Sequence, residues 1–188
     1  MQEFREYACN TIAFAGVNAY HLRNWKRTKN YCGVCGNALE PSAVERAFVC
    51  SKCGQIEYPK ISPAIIVAIT DGDKLLLVHN KLGNYKKLAL VAGYVEIGET
   101  FDEAVIREVK EEVGLNVKNL QYIDNQPWGL TGAQMIAYKA EVDGSREIIL
   151  EERELSSAKW YKRCDIPEIT RRTSIGNEMI YRFKHKML

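Results

Sequence analysis

Residues 93–115 read GYVEIGETFDEAVIREVKEEVGL. The stretch is a glycine-ended loop followed by a helix. Thr100 reads as the helix N-cap, and Glu103 stands three residues on, the spacing of a capping box. Asp102 and Glu103 place negative charge in the first turn, where the helix dipole favours it. Gly114 follows the last turn, where a left-handed C-cap is expected. Ala104, Val105, Val109 and Val113 supply apolar faces at helical spacing.

The same helix carries Glu108, Glu111 and Glu112. Residues three and four apart on a helix are neighbours, so these carboxylates fall on one face. Like charges so placed destabilise a helix unless something positive lies between them. Magnesium and manganese take oxygen ligands, often from carboxylates shared with substrate phosphates. Glu99 and Arg107 are placed to pair and to orient the loop against the helix. A bare EVKEE would read as a solvated acidic face. The regular spacing across the whole segment argues for a metal and diphosphate site instead.

That spacing is Gly93, five residues, Glu99, seven residues, Arg107-Glu108-Val109, one residue, Glu111-Glu112, one residue, Gly114-Leu115. It resembles the Nudix box without a departure. Nudix enzymes are metal-dependent hydrolases of nucleoside diphosphates linked to another moiety. The resemblance implies an α/β fold: a Nudix α/β/α sandwich with a mixed sheet, here preceded by a small zinc ribbon.

The ribbon is read from cysteines. Cys32-Gly-Val-Cys35 and Cys50-Ser-Lys-Cys53 are two CxxC pairs separated by fourteen residues. Four thiolates at this spacing suit tetrahedral zinc in a structural role. A redox CxxC more often stands alone, and a disulfide pair is disfavoured where no secretory signal is evident. Cys9 and Cys164 read as ordinary thiols. So short a segment buries little core, and zinc supplies the missing folding energy. The segment Tyr58-Pro59-Lys60-Ile61-Ser62-Pro63 leads from the ribbon into a strand with no flexible linker.

These landmarks divide the chain of 188 residues into an N-terminal helix and extension over 1–30, the zinc ribbon over 31–60 and a catalytic domain over 61–188. A helix is expected over 12–29, with a basic C-terminal end that reads as a packing helix before a nucleic-acid arm. Strands are expected over 64–70, 74–79, 88–95, 120–123, 134–142 and 159–161, with Asp71-Gly72-Asp73 as a hairpin turn. A last helix is expected over 174–183. Net charge is +2, which gives no argument for bulk nucleic-acid binding. No stretch is long and apolar enough to span a membrane, and a cytoplasmic location is the default expectation.

Downstream of the helix lies Asn125-Gln126-Pro127-Trp128. The ribbon, the Tyr58-Pro59 exit, the box and this QPW together resemble the NADH pyrophosphatases, over residues 25–160. The resemblance implies several roles. Glu99, Arg107, Glu108, Glu111 and Glu112 form the catalytic set. Glu108, Glu111, Glu112, Glu154 and the carbonyl of Ala92 hold magnesium or manganese. Glu45, Tyr58, Tyr94, Gln126, Pro127 and Trp128 contact substrate. A homodimer is implied by the resemblance alone. In the family QPW continues as PFPxS after a serine. Here Asn125 replaces the serine, and Gly129-Leu130-Thr131-Gly132-Ala133 replaces the rest. Two glycines in place of two prolines predict a looser loop. Many family members carry a further domain before the ribbon, so its contributions are expected to be absent or replaced.

The expected reaction is cleavage of the diphosphate of NADH or NAD, giving AMP and the nicotinamide mononucleotide. Two alternatives stand beside it. One is a Nudix hydrolase for ADP-ribose, a dinucleoside polyphosphate or an NAD-capped RNA end. The other is a catalytically silent Nudix sensor whose ribbon binds nucleic acid or protein. The intact acidic set argues against the sensor.

Overall fold

The structure, a computed structural model, describes residues 10–81 and 87–188, the side chain of Asn10 excepted. Cys9 lies outside the described residues. The chain forms two compact units by contact density. One holds the residues up to Ser62 together with Trp128–Ala133; the other holds Pro63–Pro127 and Gln134–Leu188.

In the first unit, helix α1 (Asn10–Thr28) precedes a three-stranded antiparallel sheet in the order β1-β2-β3: β1 (Leu39–Pro41), β2 (Phe48–Cys50) and β3 (Ile56–Glu57). Strands so short cannot sustain a core of their own. Trp25 of α1 supplies one, packing on Phe48 with ring centroids 4.8 Å apart and joining Leu39, Cys32 and Cys50.

The second unit is built on β4 (Ser62–Asp71), the near-continuous apolar run SPAIIVAITD. Such a run reads as a strand buried on both faces. Its alternation assigns the faces. Ile65, Val67 and Ile69 join a core formed with Ala104, Val105, Val109 and Val113 of α2 (Phe101–Val113). Ile66 and Ala68 join a second core formed with Ile175, Met179, Ile180 and Phe183 of α3 (Ile175–Lys184). The sheet is therefore sandwiched between helices, as expected.

The strands around β4 are β5 (Lys74–Asn80), β6 (Val91–Tyr94), β7 (Asn116–Trp128), β8 (Ala133–Asp143) and β9 (Leu155–Lys162). Their order is β7-β8-β4-β5-β9. β4 changes antiparallel partner along its length. It pairs with β5 at Thr70↔Leu75 beside the hairpin turn, then with β6 from Val67↔Val91 to Ala64↔Tyr94. β8 runs parallel to β4. The Ser62 amide donates to the Gly132 carbonyl at one end, and the Thr70 hydroxyl to the Ala140 carbonyl at the other. The sheet is thus mixed.

Three strands differ from expectation. The one expected over 159–161 is β9, which begins at Leu155 and runs for eight residues. The one expected over 88–95 is confined to β6, and Ala89 makes only an isolated bridge to Val78. The one expected over 120–123 extends over thirteen residues and takes QPW into its end. Pro127 is tolerated because β7 is an edge strand, where a missing N–H leaves no ladder bond unmade.

Candidate active site

Helix α2 is capped at both ends as its sequence dictates. The Thr100 hydroxyl accepts from the Glu103 amide, and the Glu103 carboxylate accepts from the Thr100 amide at 2.8 Å. Gly114 takes the left-handed conformation at φ 71°, and its N–H reaches the Lys110 carbonyl. The last carbonyls of α2 are satisfied from outside. Ile149 N–H donates to Val113 and Glu151 N–H to Glu112. This backbone pairing holds the turn that carries Glu154 beside the end of α2.

The inward face of α2 is apolar except for Glu108 and Glu112, which are only 9% and 6% exposed. Glu108 lies against β6 at Gly93. A β-carbon built at Gly93 would stand about 2 Å from the Glu108 carboxylate. Only a residue without one leaves room, which accounts for the first glycine of the motif. Glu112 accepts from the Ala92 amide, yet burial first and then the charges of Glu108 and Glu154 push its carboxyl up to about 8. Burial likewise raises Glu108, against the pull of Arg107. Two desolvated carboxylates side by side are unfavourable without a cation between them.

Arg107 organises the rest. Its Nε and Nη2 grip the two oxygens of Glu99 at 2.7 and 2.9 Å, a bidentate pair. Nη2 also donates to the Tyr94 carbonyl, and Nη1 donates to Glu108 and Glu111. Arg107 holds Glu99 well below the usual carboxylate range, mainly by those hydrogen bonds. The pairing expected between Glu99 and Arg107 is therefore observed, inside a larger network.

The three glutamates of α2 are not equivalent. Glu111 is 59% exposed at its side chain and turns toward Arg107. Among the described residues, only the four cysteines bring three or more metal-ligating atoms within 4.8 Å of one another. The carboxylates stand further apart than a closed ligand set, with Glu108, Glu112 and Glu154 coupled by charge across the end of α2.

The residues assigned to substrate divide between the units. In the first, the Tyr58 hydroxyl donates to both oxygens of Glu45 at 3.1 Å, so these two stand together. Trp128 opens the segment Trp128–Ala133 of the same unit. In the second, Tyr94 is half exposed at the end of β6. Gln126 is half-buried, and both ends of its amide are engaged. Nε2 donates to the Thr173 carbonyl and Oε1 accepts from the Ile175 amide at 2.7 Å. Its side chain fastens β7 to the start of α3, a role no local pattern in the sequence announces. Asn125 joins Tyr122 and Gln134 by hydrogen bonds of 2.6 and 2.7 Å. The Tyr138 hydroxyl, also unremarked in sequence, is pushed to about 12 by burial and by its hydrogen bond to Asp102.

The cysteine site has the geometry of two knuckles. Cys32 Sγ lies 3.6 Å from Cys53 Sγ, and Cys35 Sγ 3.5 Å from Cys50 Sγ. Backbone N–H groups of the following knuckle residues, Cys53 foremost, lower the Cys50 thiol to about 6. Those of Cys35 and Val34 lower Cys32. Against backbone hydrogen bonds at Asn37 and Gln55, the neighbouring sulfurs and burial raise Cys35, to about 12, and Cys53. Four sulfurs at these separations fit a tetrahedral zinc.

The fold and the acidic site define the class. Residues 60–183 match the NUDIX domain family, and residues 27–58 match the NADH pyrophosphatase zinc ribbon domain. The chain belongs to the NUDIX family. It is similar to a protein of Escherichia coli (strain SMS-3-5 / SECEC) described as NAD-capped RNA hydrolase NudC, with 41% identity over 159 residues. The match covers 85% of this chain and 62% of that protein, so the chain spans less than two thirds of this relative's length. Among solved structures, a NUDIX hydrolase from Nitrosomonas europaea aligns with a TM-score of 0.67 at 18% identity, covering 84% of this chain and 91% of that one. A NUDIX-family hydrolase from Clostridium perfringens aligns with a TM-score of 0.57 at 25% identity, covering 69% and 99%. The first of these likenesses bears on fold alone.

Proposed function

We propose that the chain hydrolyses the diphosphate bridge of a dinucleotide such as NADH or NAD, giving AMP and the nicotinamide mononucleotide. The observation that carries the chemistry is the pair of buried carboxylates, Glu108 packed at Gly93 and Glu112 at the Ala92 amide, with Arg107 bonded to the first. Such a pair fits a divalent metal. Glu108, Glu112, Glu154, Glu111 and the Ala92 carbonyl are the residues that would hold magnesium or manganese. A divalent cation there supplies positive charge to neutralise the diphosphate and lowers the pKa of water.

The chain's own groups do the rest. Arg107 keeps Glu99 and Glu111 in place and ties the loop to α2 through the Tyr94 carbonyl. Water attacks one phosphorus as that phosphorus loses its bond to the bridging oxygen, which leaves on the other phosphate. A glutamate takes the proton, and the second mononucleotide leaves as its phosphate. Tyr58, Tyr94 and Trp128 offer aromatic faces to the bases. The choice of a nicotinamide dinucleotide is supported by the match of the ribbon to that of the NADH pyrophosphatases and by the QPW segment.

A capped RNA end is the second reading, favoured by the activity named in the description of the Escherichia coli relative. On the same proposal the enzyme works in the cytoplasm, the default location, and as a homodimer, for which the resemblance is the support; sedimentation checks the dimer. Chromatography of products, with and without magnesium or manganese, tests the substrate. Release of AMP from NADH is the expected result. Efficient cleavage of ADP-ribose or a dinucleoside polyphosphate without cleavage of NADH would keep the family and overturn the substrate.

A further inference from the structure

The residues that depart from the NADH pyrophosphatase pattern, 129–133, lie in the segment Trp128–Ala133, which belongs to the same compact unit as α1. Its two glycines are not loose. Gly129 is buried against α1, where a β-carbon would stand 2.9 Å from both Cγ1 and the carbonyl oxygen of Val17. Gly132 is buried too, at φ 75°, and a β-carbon there would stand 3.0 Å from His21 Nε2. The turn is closed by the Gly132 and Thr131 amides, which both donate to the Trp128 carbonyl. The Gly132 carbonyl in turn accepts from Ser62 at 2.8 Å. His21 Nε2 lies 3.0 Å from the Lys60 carbonyl, linking the same helix to the exit of the ribbon.

Val17, His21 and Trp25 recur every fourth residue, so they form one stripe along α1. The C-terminal end of the stripe, Trp25, fills the ribbon core. Val17 and His21 meet the Trp128–Ala133 segment. Close approach of two backbones is the circumstance in which only glycine fits. The pattern is therefore a matched surface: a helix on one side and a turn with two glycines on the other.

We propose that α1, through Val17 and His21, is a positioning element that sets the conformation of Trp128–Ala133 and thereby the selectivity for a dinucleotide over a mononucleotide sugar. The inference rests on the substrate reading above, in which Trp128 offers its aromatic face to a base. A turn held in place by a helix meets its ligand already ordered and pays less entropy on binding. Stiffening by proline is thus replaced by stiffening through packing.

The test is Gly129→Ala, the double variant Gly129→Ala/Val17→Ala and His21→Ala, in the full chain. Zinc content and melting temperature establish that each is folded. Should Gly129→Ala not fold, His21→Ala carries the test, because shortening a half-buried side chain introduces no clash. Two readouts are compared. One is KM and kcat for NADH and for ADP-ribose. The other is binding of NADH and ADP-ribose to metal-free protein, which needs no turnover. We expect Gly129→Ala to raise KM and Kd for NADH about tenfold, with kcat and the ADP-ribose values within about twofold. The double variant should recover part of the loss, because it removes the Cγ1 that the new methyl meets. An unchanged NADH affinity, or an equal loss for NADH and ADP-ribose, overturns the inference. A wild-type protein that neither binds nor cleaves NADH refutes the substrate reading itself, which is a different result from an unresponsive variant.

Discussion

Glu112 carries the largest electrostatic load of any carboxylate on α2. Burial, then Glu108 and Glu154, raise it to about 8, whereas an unfolded glutamate titrates near ~4.3. The folded protein therefore prefers the protonated form. Stability from this group is present below the unfolded value and is lost as pH rises through the folded one. In metal-free protein, the melting temperature should fall as pH climbs from about 4.5 to about 8. Glu112→Gln should remove most of that fall, and saturating magnesium should flatten it. A melting curve indifferent to pH across this window would show that the carboxyl is not desolvated. The same variant should lose turnover by about a hundredfold or more, since it removes a proposed metal ligand and a candidate proton acceptor. Arg107→Ala should also lose activity, by a different route. It frees Glu99, Glu108 and Glu111 at once, and Arg107→Lys should not restore it, because an ammonium cannot make the two-pronged contact to Glu99. Equal rescue by lysine would reduce Arg107 to a point charge.

Helix α2 shows how much one element can carry in its own sequence. Thr100, Glu103 and Gly114 were legible as caps because capping chemistry is confined to three or four consecutive residues, and all three cap as expected. Thr100→Ala should cost about 1 kcal/mol in urea unfolding while leaving turnover nearly unchanged. A loss of activity larger than the loss of stability would place Thr100 in the site itself. The strand β7 was less legible. Its proline and the turn-forming residues around it resemble a loop, and only the edge position in the sheet makes Pro127 acceptable. Gln126 was legible as a substrate residue by resemblance alone, and its grip on Thr173 and Ile175 lies some fifty residues away in the chain.

At the scale of the whole molecule, the two units hold separate cores. Trp25 and Phe48 with the cysteines form one; the two faces of the central sheet form the others. The core of the ribbon unit is small, so its folding should depend on zinc, whose binding to such sites is worth roughly 10–16 kcal/mol. Cys35→Ser, or removal of zinc by a chelator, should melt the ribbon while the sheet of the second unit stays folded. Calorimetry should then show the low-temperature transition lost and the high-temperature one kept. Freshly purified protein without zinc, its thiols paired as disulfides, would overturn the zinc assignment.

What the sequence determined by itself was whatever depends on neighbours along the chain. The box, the caps of α2, the CxxC pairs and the apolar run of β4 all declare themselves within a few residues, because helical and strand periods are local. The tertiary structure decided which of those residues do which work. It buried Glu108 and Glu112 and turned Glu111 toward Arg107, because α2 has one face on the sheet and one on solvent. It gave Gly93 its reason through a carboxylate fifteen residues on, and Gly129 its reason through a helix more than a hundred residues earlier. A glycine records only that a side chain is missing. What occupies the space it leaves is set by packing between distant segments, and no local pattern encodes that partner.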